Sequence, residues 1–200
     1  MIRTAIIAGS QRPNAQSGKV AAFIAQAAAA RGMAAETISL EHQPLPLWTD
    51  DPVALPAQDA AWAPLRATIE AADALVLVTP EWNGMVPPAL KNFFLYCTGH
   101  ELADRPAMIV AVSSGNGGSA PAAELRMSST RDTQICYTPE QVIVRRVTEV
   151  LNGAEPASED DAYIRFRIDY ALAVLGEYAL ALRAVRASGV RRFDILPYGM

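Results

Sequence analysis

Ala74-Leu75-Val76-Leu77-Val78 runs into Thr79-Pro80-Glu81-Trp82-Asn83-Gly84-Met85-Val86-Pro87-Pro88 and then into Ala89-Leu90-Lys91-Asn92. The first five residues are continuously apolar and largely β-branched, the mark of a parallel strand covered on both faces. Pro87-Pro88 pre-set φ for a helix start, and the residues from Ala89 to Tyr96 are helix formers with apolar side chains on one side. A rigid Pro80, a planar Trp82, the amide of Asn83 and the φ-permissive Gly84 lie between strand and helix. In open α/β sheets ligands bind outside the carboxyl ends of the strands, where this loop belongs.

Working outward, the same alternation repeats. A strand is expected over Arg3 to Ala8, a helix from about Ser17 to Arg31 closed by Gly32, and a strand near Ala34 to Leu40. Glu41 to Pro56, with Pro44, Pro46, Pro52, Pro56, Trp48 and Asp50-Asp51, reads as an ordered surface loop. Because Pro64 suits only a first turn, the body of the next helix is expected at Ala63 to Ala71. Strands at Ala74 to Thr79 and Ala107 to Ser113 follow, with a helix to about Cys97 between them and another near Ala122 to Ser129. For the fifth strand, Gln134 to Tyr137 and Val142 to Val147 both qualify, on either side of Pro139. Ser158 before Glu159, Asp160 and Asp161 places a capping oxygen and three carboxylates at the start of a last helix. Its apolar positions, from Ile164 to Val185, recur at helical spacing to about Ala187, before Gly189. At roughly 1.5 Å per residue that helix exceeds 40 Å, long enough to serve a subunit contact as well as the sheet. The order predicts an α/β fold: a flavodoxin-like, doubly wound, five-stranded parallel sheet in three α/β/α layers, a single domain over residues 1–200.

Composition narrows the classes. Of 200 residues, 51% are hydrophobic, ample for a sizeable core, and the formal charge of −4 offers no general attraction to nucleic acid or anionic membranes. Arg145-Arg146 and Arg191-Arg192 are isolated pairs. No apolar run approaches the roughly 20 residues of a membrane span, and Met1-Ile2-Arg3-Thr4 enters a strand directly, so a cytoplasmic protein is expected. Cys97 and Cys136 have no CxxC spacing and read as small buried thiols; His42 and His100 lack neighbouring ligands, and no metal site is assigned.

Two further loops fall on the edge where the first one lies. Gly9-Ser10-Gln11-Arg12-Pro13-Asn14-Ala15-Gln16-Ser17-Gly18-Lys19 ends where the first helix presents unpaired N–H groups. Hydroxyls of Ser10 and Ser17, the fork of Arg12 and the helix dipole form an anion cradle; in the alternative reading Ser17 is only an N-cap and Arg12 a surface charge. The loop lacks GxGxxG, so a monophosphate suits it better than a dinucleotide. Ser113-Ser114-Gly115-Asn116-Gly117-Gly118-Ser119 offers either a flexible turn or bare glycines that let a flat ring approach the backbone. A phosphate pocket beside two wall segments has the shape of flavin mononucleotide (FMN).

Gly-Ser-x-Arg at residues 9 to 12 with Ser17 opening the helix, then Thr-Pro-Glu-Trp-Asn-Gly at 79 to 84 with Leu90-Lys91-Asn92, resembles the NADPH-dependent FMN reductase family over about residues 3 to 130. The resemblance implies a flavodoxin-like fold that binds FMN and uses NAD(P)H as co-substrate. It implies that Ser10, Arg12, Gln16 and Ser17 hold the phosphate. Pro80, Glu81, Trp82, Asn83 and Gly84 would run along the isoalloxazine, with Ser113 to Gly117, including Gly115, closing the other side. It also implies a homodimer or a dimer of dimers. Trp82 stands where the commoner family loop has Tyr, and Leu95 where it usually has Asp.

Such a flavin carries the chemistry, so no dedicated catalytic residue is expected. Hydride from NAD(P)H would pass through the flavin to a small acceptor in ping-pong order. Asn83 either orients the ring or merely shapes an Asx turn; Trp82 either stacks near the flavin or packs between subunits; Glu81 is a weak general-acid candidate. Lys91 and Asn92 are expected to support the loop. Two other classes fit less well: a flavodoxin-type electron carrier serving protein partners, and a flavin-free hydrolase or transferase with Glu81 as its working carboxylate.

Overall fold

The structure is a computed structural model that describes residues 1–196. Its strands are β1 (Arg3–Ala8), β2 (Ala34–Ser39), β3 (Ala74–Pro80), β4 (Pro106–Val112) and β5 (Cys136–Val144), all parallel in the order β2-β1-β3-β4-β5. This is the flavodoxin-like sheet. The helices are α1 (Gln16–Ala30), α2 (Leu55–Ala71), α3 (Pro88–Tyr96), the short α4 (Gly99–Leu102), α5 (Ser119–Ser128) and α6 (Glu159–Ala187).

Period-two alternation divides the strands between two cores. Ile6, Ala8, Val76, Val78, Met108 and Val110 face α1 and α6, where they meet Val20, Ile24, Ile168, Leu172 and Leu175. Ala5, Ile7, Leu75, Leu77 and Ile109 face the other layer, with Trp62, Leu65 and Ile69 of α2, Phe93 of α3 and Leu125 of α5. Every residue of β4 is buried, as its continuous apolar run requires, whereas edge strand β2 buries Ile38 alone.

Two boundaries depart from the sequence reading. α2 begins at Leu55, well before Ala63, and carries Pro64 in its interior. Proline removes one N–H and crowds the carbonyl a turn earlier. Pro64 lies on the exposed side, where water can serve that carbonyl, while Gln58, Trp62, Leu65 and Ile69 bury the opposite face. Packing outweighs the local penalty. β5 unites both candidate segments: Ala107 pairs with Tyr137 and Ile109 with Gln141, so the surplus residues around Pro139 bulge from the edge strand. A missing N–H is tolerated there.

The proline-rich connection before α2 is ordered by α3. Asn92 Oδ1 accepts from Trp48 N–H (2.8 Å) while its Nδ2 donates to Pro46 C=O (2.8 Å), and Tyr96 O–H donates to the same carbonyl (2.8 Å). Asn92 thus supports a loop, the one between β2 and α2. At the start of α6, Ser158 Oγ accepts from Asp161 N–H (3.1 Å), the expected cap.

Candidate functional site

The carboxyl ends of β1, β3 and β4 open into a cleft of about 400 Å³. It is lined by Ser10 and residues 12–17 of the first loop, by Pro80, Glu81 and Trp82, by Val112 and Ser114, and by Val147. Of the residues expected from sequence, Ser10, Arg12, Gln16, Ser17, Pro80, Glu81 and Trp82 come together here. Asn83, Gly84, Ser113, Gly115 and Gly117 do not line it.

The first loop departs from β1 at Gly9, whose N–H donates to Val78 C=O (2.9 Å). A Cβ on Gly9 would lie 2.9 Å from Leu90 Cδ2 of α3, so only glycine lets that helix close on the strand. Ser10 is buried and its Oγ accepts from Arg12 N–H (3.2 Å). Asn14 takes a left-handed conformation (φ 54°) and donates its N–H to Glu41 Oε1 (2.9 Å), turning the chain into α1.

α1 starts at Gln16, with Ala15 at the N-cap and no side-chain cap. Ser17 is therefore inside the first turn and is not the N-cap. Its residue is 1% exposed and its Oγ has no hydrogen-bond partner. A buried hydroxyl without a partner costs about 1–3 kcal/mol, and helix N-termini attract anions through unpaired N–H groups and the helix dipole. Arg12, exposed, has no carboxylate partner among the described residues, and its guanidinium carbon stands 5.8 Å from the centre of the Trp82 ring.

Lys19 takes a different part. Its Nζ donates to Val147 C=O (2.6 Å), Val150 C=O (2.9 Å) and Asn152 Oδ1 (2.7 Å), which uses all three ammonium protons. Burial lowers its pKa from the ordinary lysine value, opposed in part by Asp161. The lysine thereby holds the segment after β5 and brings Val147 to the cleft. No sequence signal near the first loop points to that residue.

The second loop continues the sheet for one residue, with Glu81 N–H donating to Val112 C=O (2.9 Å). Trp82 and Met85 then exchange backbone hydrogen bonds (3.0 and 2.9 Å) around Asn83 (φ 49°) and Gly84 (φ 76°). Two residues of positive φ between paired ends make a type I′ hairpin, for which Asn-Gly is the preferred sequence. Asn83 and Gly84 stand exposed at its tip, so the turn-forming role of Asn83 is the one the geometry displays.

In the third loop Ser113 is buried, its Oγ accepting from Gly115 N–H (3.3 Å), and the next residue, Ser114, reaches the cleft. Arg146 N–H donates to Gly115 C=O (2.9 Å) and Arg145 Nε to Gly117 C=O (3.1 Å). Gly118 N–H donates to Glu81 Oε2 (2.5 Å), and the same carboxylate oxygen occupies the space a Gly117 side chain would need. Gly118 itself has φ 100°, and a Cβ there would collide with Ile143 Cγ2. Gly118 is thus required by its backbone and packing, while a side chain at Gly117 would have to displace the Glu81 carboxylate.

A family model described as NADPH-dependent FMN reductase matches residues 2–149. The chain belongs to that family. It is thereby an oxidoreductase of the NAD(P)H-dependent FMN and quinone reductase type. An NADPH azoreductase from Bacillus sp. is 27% identical over 143 residues, 72% of this chain and 76% of that one. The NAD(P)H-dependent FMN reductase of Saccharomyces cerevisiae is 30% identical over 134 residues, 59% of this chain and 68% of that one. Among solved structures, a flavoenzyme NAD(P)H:(acceptor) oxidoreductase from Paracoccus denitrificans superposes with a TM-score of 0.71 at 21% identity, covering 89% of this chain and 99% of that chain; it shows the fold.

The residues of the cleft fit the family's cofactor. The orphaned Ser17 hydroxyl, the start of α1 without a side-chain cap and Arg12 without a carboxylate partner among the described residues offer the donors that a phosphate requires.

Proposed function

We propose that the protein is an FMN-dependent NAD(P)H oxidoreductase that reduces a small acceptor in ping-pong order. The observation that carries this reading is the buried, unpartnered Ser17 Oγ at the start of α1, beside Arg12 and the walls of the cleft. Ser10, Arg12, Gln16 and Ser17 would hold the phosphate. Pro80, Glu81 and Trp82 on one side, with Val112 and Ser114 on the other, would flank the ring. FMN, when bound, supplies the hydride chemistry between NAD(P)H and the acceptor. The protein's part is to hold the phosphate end in a donor-rich pocket and the ring end between two stiff backbone segments. One open face used in turn by donor and acceptor gives the ping-pong order, and an open face suits flavins, quinones, azo compounds and metal oxyanions alike.

Assembly as a homodimer or homotetramer accords with the outer face of α6, where Tyr163, Phe166 and Tyr170 are exposed and the last two rings stack at 6.4 Å.

The test is spectroscopic and kinetic. Purified protein reconstituted with FMN should be yellow, bleach with NADPH in the absence of any partner protein, and give parallel double-reciprocal lines with a quinone. A preparation that fails to take up FMN would sink the reading; intersecting lines would remove the ping-pong order.

A further inference from the structure

Glu81 is read from sequence as a weak general-acid candidate, yet the fold commits its carboxylate to another task. Oε2 accepts from Gly118 N–H at 2.5 Å, and Gly118 is the N-cap residue of α5. The carboxylate therefore caps a helix from a different loop, where the dipole favours negative charge. The space it fills is the one vacated by the missing side chain of Gly117: a Cβ there would overlap Oε2 and approach the carboxyl carbon to 2.8 Å. Glutamate and glycine are complementary in shape.

A second link runs parallel to the first. Glu124, farther along α5, accepts from Val86 N–H through Oε2 (2.7 Å) and pairs with Lys91 through Oε1 (2.6 Å). Burial raises the Glu124 pKa, but Lys91 and the Val86 N–H outweigh it and leave the carboxyl below its ordinary value. The hairpin that follows β3 is thus bonded to α5 at both of its ends. Of the two links, only Glu81 lines the cleft.

We propose that Glu81 is a positioning residue, a carboxylate latch that sets the gap between the second and third loops by capping α5 and seating over Gly117. The inference rests on the FMN reading for its purpose, since the gap it sets is the one that would receive the ring. Two consequences follow. Gly117 is bare on account of Glu81, whatever the cleft binds. A fixed negative charge also stands at the wall of the ring site, where it opposes negative charge developing on a reduced flavin.

The experiment is a double-mutant cycle on Glu81→Ala and Gly117→Ala, read first by thermal melting of the flavin-free protein. Gly117→Ala alone should lower Tm by about 5 °C or more, because the added methyl expels the carboxylate and strands Gly118 N–H. In the Glu81→Ala background the same substitution should cost about 1 °C or less. An equal cost in both backgrounds overturns the latch. The second readout is FMN titration: Glu81→Ala should weaken affinity about tenfold, the cost of ordering a loosened loop, while Glu81→Gln, which keeps an acceptor for Gly118 N–H, should stay within about threefold. Unchanged affinity in Glu81→Ala overturns the positioning role. The midpoint potential of bound FMN in Glu81→Gln should shift positive, and an unshifted potential overturns the electrostatic part. If wild-type protein takes up no FMN, the reductase reading fails while the melting cycle still decides the latch.

Discussion

The two ends of the sheet are built to opposite specifications. At the amino edge a network of charged groups is answered from within, although the buried Gln134 Oε1, two residues before β5, has no hydrogen-bond partner among the described residues. Asp73, just before β3, accepts from Arg3 N–H (2.9 Å) and from Arg183 Nε and Nη2 (2.9 and 2.7 Å), with Arg186 at 3.4 Å. Arg105 donates to the carbonyls of Glu70, Ala72 and Glu101, closing the ends of α2 and α4. Asp104 is paired with Arg191 at 2.5 and 2.8 Å. The carboxyl edge instead leaves the Ser17 hydroxyl buried without a partner and Arg12 without a carboxylate among the described residues. The amino edge ties its charged groups to α2, α4, α6 and the residues after it, while the carboxyl edge, which spends Lys19 and Glu81 internally, leaves Ser17 Oγ open. Stability and binding should therefore respond to different residues.

The largest expected effect comes from breaking the closed edge. Asp73→Ala removes the carboxylate shared by the half-exposed Arg183, the partly buried Arg186 and Arg3 N–H, and should lower Tm by about 5 °C, with FMN affinity unchanged. A loss of FMN affinity alongside stability would erase the contrast between the edges. The same residue sharpens the comparison through pH. The hydrogen bond from Arg183, opposed by burial and aided by Arg3 N–H, lowers the Asp73 pKa from 3.8 to about 2. A depressed carboxyl contributes stability that is fully present above its unfolded value and is lost as pH falls through the folded one. Wild-type stability should therefore drop between about pH 4 and pH 2 by more than that of Asp73→Asn.

At the open edge the signs reverse. Arg12→Ala should weaken FMN binding by about 10- to 100-fold, the worth of a charge-assisted hydrogen bond, while the melting point of the flavin-free protein stays within about 2 °C. An unchanged FMN titration would count against the phosphate role. The smallest effect belongs to Ser17→Ala, which should weaken FMN binding about fivefold and leave the flavin-free protein as stable or slightly more so, since it removes an unpaired buried hydroxyl. Destabilisation of the flavin-free protein would mean that Ser17 already has a partner.

How much of this was legible in the sequence follows from the range of the forces involved. β1, β3 and β4 were readable because a strand covered on both faces must be apolar at every position, and α6 because its cap, its acidic first turn and its apolar period agree. α2 was misjudged at Pro64, where burial of Trp62, Leu65 and Ile69 overrides a local rule. β5 was split at Pro139 because an edge bulge leaves no period to follow. Of the residues expected at the site, Ser10, Arg12, Gln16, Ser17 and the run from Pro80 to Trp82 line the cleft, each lying where a strand hands over to a helix. Ser114 in place of Ser113, and Val147 brought in by Lys19, were not, because side-chain direction after a strand and contacts across 128 positions of chain are set by packing.

By itself the sequence determined the layer architecture, the edge on which the cleft lies and the family to which the chain belongs, since these follow from periodicity and from short motifs whose residues act within a few positions of one another. Only the tertiary structure decided what each polar group has left to offer. Lys19 is spent on three internal acceptors and Glu81 on capping a distant helix over a bare glycine, while Ser17 is left open. Satisfaction of a hydrogen bond is a property of neighbours in space, and those neighbours are fixed by the fold.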